Sequence, residues 1–145
     1  MERRARRVFD VIDARDNWDI EPAQALTRMG EHLLGIILCR EALDTHRLVV
    51  AEASRQPELA ELFFDSGPRR LHEALKRYFH HQVEQQRLEL EDASDAASMF
   101  MGMLLGEHHL RAMLQLPTDN SPNVLRARAE RCVRLFLDGA RPRGR

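Results

Sequence analysis

Apolar residues recur at helical spacing along almost the whole of this 145-residue chain, and this periodicity restricts the available folds more than any other feature. Leu71, Leu75, Phe79 and Val83 follow one another at every fourth position, which places them on one side of a helix. No segment alternates apolar and polar residues for long enough to predict a strand. The pattern therefore predicts an all-α fold.

Prolines, glycines and polar runs divide the pattern into about six helices around one core, which we expect to form a single domain over residues 1–145. The predicted helical stretches are 2–14, 22–37, 42–54 with a short continuation at 58–65, 69–86, 96–116 and 124–139. Arg15 to Asp19 breaks the pattern and predicts a polar loop that contains Trp18. Met99 to Leu105 is apolar on every side, which is typical of a helix in the middle of a structure.

Charge and composition exclude several classes of protein. The net charge is −1, but residues 8–138 carry 15 basic and 22 acidic side chains, a net of −7, which makes a poor nucleic-acid surface. The longest apolar run covers residues 99–105, whereas a membrane span needs about 20. No signal peptide is recognisable, and two cysteines, Cys39 and Cys132, form no disulfide framework. These features favour a cytoplasmic protein with no membrane partner.

Catalytic and metal-binding patterns are weak. His80-His81 and His108-His109 are adjacent pairs, and neighbours on a helix point about 100° apart, so neither pair has the spacing that places two imidazoles on one metal. Cys39 and Cys132 fit small buried positions, and no phosphate-binding loop or nucleophile motif is present. We therefore expect no enzyme, no metal and no cofactor.

The predicted helix 96–116 is rich in methionine and carries two glycines four residues apart. Its methionines are flexible side chains that suit a surface accepting varied ligands. For any individual methionine, however, packing in the core is an ordinary explanation of its presence. Gly102 and Gly106 predict a groove where another helix approaches closely, either inside the domain or across a dimer.

Two long segments resemble the C-terminal region of TetR-family transcriptional regulators. They are THRLVVAEASRQPELAELFFDSGPRRLHEALKRYF at 45–79 and MFMGMLLGEHHLRAMLQL at 99–116, followed by a closing helix that ends in VRLFLDGA. The resemblance extends from about Val8 to Ala140. Regulators of this family carry an N-terminal helix-turn-helix domain, a linking helix and a helical regulatory domain. Residues 1–15 resemble the linking helix, so we expect this chain to lack the DNA-reading helices.

The resemblance implies a bacterial homodimer that binds a small hydrophobic effector and contacts DNA only through the missing helix-turn-helix domain. The last two long helices would pair with those of a second subunit, so the apolar helix 96–116 would face the pocket on one side and the partner on the other. The candidate ligand-binding residues are Met29, Leu33, Phe63, Tyr78, Met99 and Met103. The candidate dimer residues are Gly102, Leu105, Gly106, His109, Met113, Cys132, Val133 and Phe136.

Two alternatives stay open at this point. One is a free-standing helical interaction protein that forms mixed dimers with full-length regulators. The other is a small helical enzyme or metal protein that uses its histidines.

Overall fold

The computed structural model describes residues 10–142, and these are helical apart from short connections. Residues 10–13 are helical at the start of this range, so residues 2–9 of the predicted helix 2–14 lie outside the described residues. The remaining helices are α1 (Arg15–Trp18), α2 (Pro22–Ile37), α3 (Arg40–Glu52), α4 (Pro57–Ser66), α5 (Pro68–Glu84), α6 (Ala93–Met113) and α7 (Pro122–Ala140). The predicted all-α fold is confirmed. None of the helices in residues 10–142 is long and apolar enough to cross a membrane.

Helix α2 occupies the middle of the bundle, where it packs most extensively on α7 and also contacts α1, α3 and α6. A Cβ atom on Gly30 would lie 3.2 Å from Leu104 Cδ1 and 3.4 Å from Ala129 Cβ, so α2 lies close against α6 and α7. The prediction that 96–116 is the central helix was wrong, because several apolar residues of α6 are exposed. Apolar content alone does not tell whether this chain or another covers a helix.

The segment predicted as a polar loop at Arg15–Asp19 is instead the short helix α1, and Trp18 in it is only 5% exposed. The indole Nε1 donates a hydrogen bond to the carbonyl of Ile12 at 2.7 Å. Asn17 Nδ2 donates to the carbonyl of Val11 at 2.8 Å. These two side chains therefore cap the carbonyl end of the helical turn at residues 10–13.

Helix α6 is broken at Gly106, whose backbone adopts φ 39° and ψ −143°. The guanidinium of Arg128, from α7, donates to the carbonyl oxygens of Leu104 at 2.7 Å, Leu105 at 3.2 Å and Met103 at 3.3 Å. The cation therefore satisfies carbonyls that the break leaves without helical partners. Gly106 is thus a kink residue, and the prediction that it forms a groove within a continuous helix was wrong.

Substitution of Gly106 should affect stability differently from substitution of a glycine with helical backbone angles. We expect Gly106→Ala to lower the free energy of unfolding by about 1–3 kcal/mol, because an L side chain is strained at this φ. Its Cβ would also lie 2.9 Å from Arg128 Nη2, so the guanidinium would have to move. Chemical denaturation measures the change.

Gly35 is a matched control, because it is an exposed position of α2 where a Cβ atom would meet no neighbouring atom within 4 Å. Gly35→Ala should raise the free energy of unfolding by up to about 1 kcal/mol through helix propensity. Equal effects of the two substitutions would contradict the kink.

Candidate functional site

The six predicted ligand-binding residues differ widely in their exposure. Met29, Leu33 and Tyr78 are completely packed in the core, and Phe63 is half-buried. Met99 is 66% exposed and Met103 is 40% exposed. Helix register accounts for the difference, because Phe100 and Leu104 take the core-facing positions of α6. The ligand-binding role of these six residues therefore stays a prediction.

The predicted dimer residues divide in a similar way. Cys132, Val133 and Phe136 are buried inside this chain, so as surface residues of a dimer interface they were wrongly predicted. Their face of α7 packs on the chain's own core. Burial raises the pKa of the Cys132 thiol, which therefore behaves as a small core residue. Gly102 and Gly106 are exposed, and Leu105, His109 and Met113 are half-buried.

Exposed apolar side chains are concentrated in two regions of residues 10–142. One region is on α3 and α4 and includes Leu48, Val50, Leu62 and Phe64. The other, which we call the α6–α7 apolar surface, consists of Met99, Met103, Leu110, Leu114 and Leu135. Met99 and Met103 are four apart on the first half of α6 and share one side, and Leu110 on the second half is followed four positions later by Leu114, just after the helix ends. Apolar surface of this kind is typical of an interaction site.

Three rings from three helices form a continuous stack, which we call the imidazole stack: Phe63 of α4, His46 of α3 and His109 of α6. The centroid of His46 lies 5.3 Å from that of Phe63 and 5.3 Å from that of His109, with an angle of 30° between the planes in both pairs. The stack joins α3 and α4 to the second half of α6. The sequence analysis did not single out His46, although it follows the apolar Leu43 by three positions, a helical spacing that could have identified it.

Both imidazoles of the stack favour the neutral form. Burial lowers the pKa of His46, and burial together with the nearby His46 lowers the pKa of His109. The Nε2 atom of His109 is buried and has no hydrogen-bond partner among the described residues. A neutral imidazole has one N–H donor and one acceptor nitrogen, so this atom retains an unused hydrogen-bonding capacity.

Arg47, the residue after His46, is fully engaged beside the stack. Its Nη1 donates to the carbonyl oxygens of Ala112 at 3.2 Å and Met113 at 3.4 Å, at the end of α6. Its Nη2 pairs with the carboxylate of Asp44. The guanidinium therefore fixes α3 against the end of α6, and these two helices carry His46 and His109.

A second polar cluster surrounds Trp18 and connects α1 to α5. The Trp18 carbonyl accepts hydrogen bonds from Gln82 Nε2 at 2.7 Å and Arg87 Nη1 at 2.6 Å. The indole ring lies against His81, with 5.0 Å between centroids. Sequence reasoning gave Trp18 no role, although a large aromatic residue in a polar segment is a signal of burial. The cluster attaches the first described helical turn to the core.

Tyr78 lies beside this cluster, with its ring 6.1 Å from that of Trp18. Its hydroxyl is buried and has no hydrogen-bond partner among the described residues, and burial raises its pKa. The hydroxyl therefore stays protonated.

The described residues form two open clefts away from the imidazole stack. One has a volume of about 530 Å³ and lies beside Glu89, Leu90, Glu91, Gly139 and Arg141. The other has a volume of about 290 Å³ and lies between α2 and α7, beside Thr27 and Val133. None of the six predicted ligand-binding residues lines either cleft. Within residues 10–142, no three histidine, cysteine or acidic side chains are grouped to hold a metal ion.

Comparison with known proteins identifies the domain type. Residues 24–139 match the family model described as the C-terminal domain of AefR-like transcriptional repressors. A solved structure described as a TetR-family regulator from Mesorhizobium loti is 25% identical, with a TM-score of 0.85 over 95% of this chain and 70% of that one. The flavonoid-responsive regulator FrrA is 24% identical, with a TM-score of 0.76 over 97% of this chain and 74% of that one. No protein of curated function matches the sequence.

Proposed function

This chain belongs to the family of AefR-like C-terminal domains of TetR transcriptional regulators, and we propose from this membership that its α6–α7 apolar surface mediates dimerisation while a small apolar effector binds between α3, α4 and α6. The domain type is a regulatory domain and not an enzyme. TetR-family regulators generally dimerise, bind small-molecule effectors and bind DNA through an N-terminal domain. Our proposal concerns which surfaces of this chain mediate dimerisation and which bind the effector.

The exposed apolar side chains of α6 and α7 carry the dimer proposal. Met103 and Leu110 lie on the two halves of α6, and Leu135 lies on the last helix. The opposite faces of both helices pack on α2 and the rest of the core. If a two-fold axis lay beside α6 and α7, the same side chains of both subunits would be buried in the interface.

Gly102 and the half-buried residues of the predicted interface fit the same arrangement. Gly102 is exposed, with no atom within 4 Å of the position of a Cβ, so it leaves room for a partner helix. Leu105, His109 and Met113 would lie at the margin of the interface and contact both the core and the partner. Gly106, at the kink, would set the angle between the two halves of the paired helix.

The imidazole stack supports the effector site. It lies between α3, α4 and α6, where α4 contributes no buried residue. A helix held by so little buried surface can move at low energetic cost, so an effector can enter beneath it. Of the residues predicted from the sequence, Phe63 lies in this site. Met29, Leu33 and Tyr78 are packed in the core.

Effector binding would regulate through a change in conformational populations. A ligand shifts such an equilibrium only by its differential affinity for the two states. The Trp18 cluster connects α5 to the helical turn at residues 10–13, which resembles the end of the linking helix. A displacement of α4 and α5 would therefore reach the linking helix through Gln82 and Arg87.

Sedimentation equilibrium tests the dimer proposal directly. At micromolar concentration we expect a mass of twice the 16.8 kDa chain. Association is favourable because a partner subunit removes the exposed apolar side chains from water. A monomer across this range would contradict the proposal.

A further inference from the structure

We propose that α6 straightens at Gly106 when two subunits pair, and that the guanidinium of Arg128 keeps the helix bent in the single chain. This inference rests on the proposed dimer surface, and it names the conformational change that pairing would drive. The straight helix would present one continuous apolar stripe to the partner subunit, which the bent helix interrupts.

The register of the exposed apolar residues on α6 indicates a straight helix. These residues, which we call the α6 stripe, are Met99, Met103, Leu110 and Leu114, at successive intervals of four, seven and four positions. At 3.6 residues per turn, a continuous helix would place all four within about 60° of one another. Two helices that pack along their length present apolar stripes of this kind to each other. The residues on either side of the break therefore keep the phase of one unbroken helix.

The break at Gly106 divides the α6 stripe in the single chain. Backbone angles of φ 39° and ψ −143° turn the second half of α6 away from the direction of the first half. The second pair of the stripe, Leu110 and Leu114, then lies along a different axis from the first pair. A partner helix that follows one pair therefore departs from the other.

Arg128 stabilises the bend from the neighbouring helix α7. The carbonyl groups of residues 103–105 would accept backbone hydrogen bonds in a continuous helix, and here they accept bonds of 2.7–3.3 Å from the Arg128 guanidinium instead. Arg128 is half-buried, so its release needs the movement of one side chain that is already in contact with water. This single group therefore contributes much of the preference for the bent form.

The half of α6 after the break is held by few contacts. Four of the five buried residues of α6 precede Gly106, and Ala112 is the one that follows it. Nε2 of His109 is buried in this half without a partner among the described residues, which is unfavourable in the bent form. Straightening would break the stack of His109 on His46 and the bonds from Arg47 to the end of α6. A segment with so little buried surface can move at a cost that an apolar interface offsets.

The effect on affinity follows from the population of the straight form. A minor conformation a few kcal/mol above the major one is populated at about 0.1–10%. If only straight subunits pair tightly, the apparent affinity is reduced by that fraction. A change that holds α6 straight should therefore tighten the dimer at least about tenfold.

The ¹³Cα chemical shift of Gly106 tests the straightening in the unchanged protein. Helical backbone moves this resonance downfield of its random-coil position, and the angles of the bent form do not. We expect a helical shift at concentrations where the protein is dimeric, and a non-helical shift in Leu110→Glu, which should remain a monomer. A non-helical shift in the dimer, or a helical shift in the monomer, would overturn the proposal.

Arg128→Ala tests the role of the guanidinium. We expect the dissociation constant of the dimer to fall at least about tenfold, because the unpaired carbonyl groups disfavour the bent form. Arg126→Ala is the matched control, since it removes an arginine of the same helix that pairs with Glu130, and the dissociation constant should stay within about threefold. An unchanged or higher dissociation constant for Arg128→Ala, or equal tightening in both variants, would contradict the role of Arg128. If Arg128→Ala does not fold, the Gly106 resonances of the unchanged protein and of Leu110→Glu decide.

The readouts keep this inference separate from the proposed function. A monomeric mass of the unchanged protein in sedimentation equilibrium would remove the proposed dimer and the straightening together. A dimeric mass with a non-helical Gly106 resonance would remove the straightening alone.

Discussion

Leu110→Glu should convert the proposed dimer into a folded monomer. Leu110 is 57% exposed on the second half of α6, so a glutamate there costs a single chain little. In a two-fold dimer the substitution occurs twice, and each buried leucine contributes about 1.5–3 kcal/mol. We therefore expect the dissociation constant to rise at least about 100-fold. Sedimentation equilibrium measures the mass, and circular dichroism measures the retained helix.

Leu62→Glu is the matched control for this substitution. Leu62 is 67% exposed on α4, so the side chain, the replacement and the starting exposure are all comparable, but the position is outside the α6–α7 apolar surface. This variant should remain dimeric. If Leu62→Glu dissociates the dimer and Leu110→Glu does not, the subunits associate through α3 and α4 instead.

Phe136→Ala should lower the free energy of unfolding by about 3–5 kcal/mol, because it removes one ring from a closed aromatic cluster. The ring of Phe136 lies 5.3 Å from Phe79 and 5.3 Å from Phe100, which joins α7 to α5 and α6. Deleting it leaves a cavity that the neighbouring rings fill only partly. Thermal or chemical denaturation at a fixed protein concentration measures the loss, since a dimer's stability depends on concentration.

Phe64→Ala provides the comparison for the aromatic deletion. Phe64 is 49% exposed on α4. The decrease in the free energy of unfolding caused by Phe64→Ala should therefore be much smaller than the decrease caused by Phe136→Ala. A Phe136→Ala protein with unchanged unfolding but a weakened dimer would return Phe136 to the interface, where the sequence analysis placed it.

Helical periodicity predicted the fold class and most of the helix positions correctly. It succeeded for α2 and α7 because proline begins each of them and their apolar stripes are long. The resemblance to TetR-family regulators was also confirmed, over residues 24–139. Both signals are distributed over many residues, so errors at single positions do not remove them.

The site residues were harder to predict because periodicity reports burial and not what covers a residue. Met99 and Phe136 are both apolar members of helical patterns, yet one is on the surface and the other is in the core. The kink at Gly106 depends on Arg128, which lies on the next helix along the chain. Contacts of this kind leave no local pattern, so only the tertiary structure reveals them.

The burial of Trp18 also gives the molecule a built-in optical probe. It is the single tryptophan of the sequence, and its indole is hydrogen-bonded to Ile12 and packed against His81. Fluorescence excited at the red edge of the tryptophan band therefore reports on one contact region, between the helical turn at residues 10–13 and α5. Emission intensity and wavelength can follow that contact region in real time, without a label, while a compound is added to the protein.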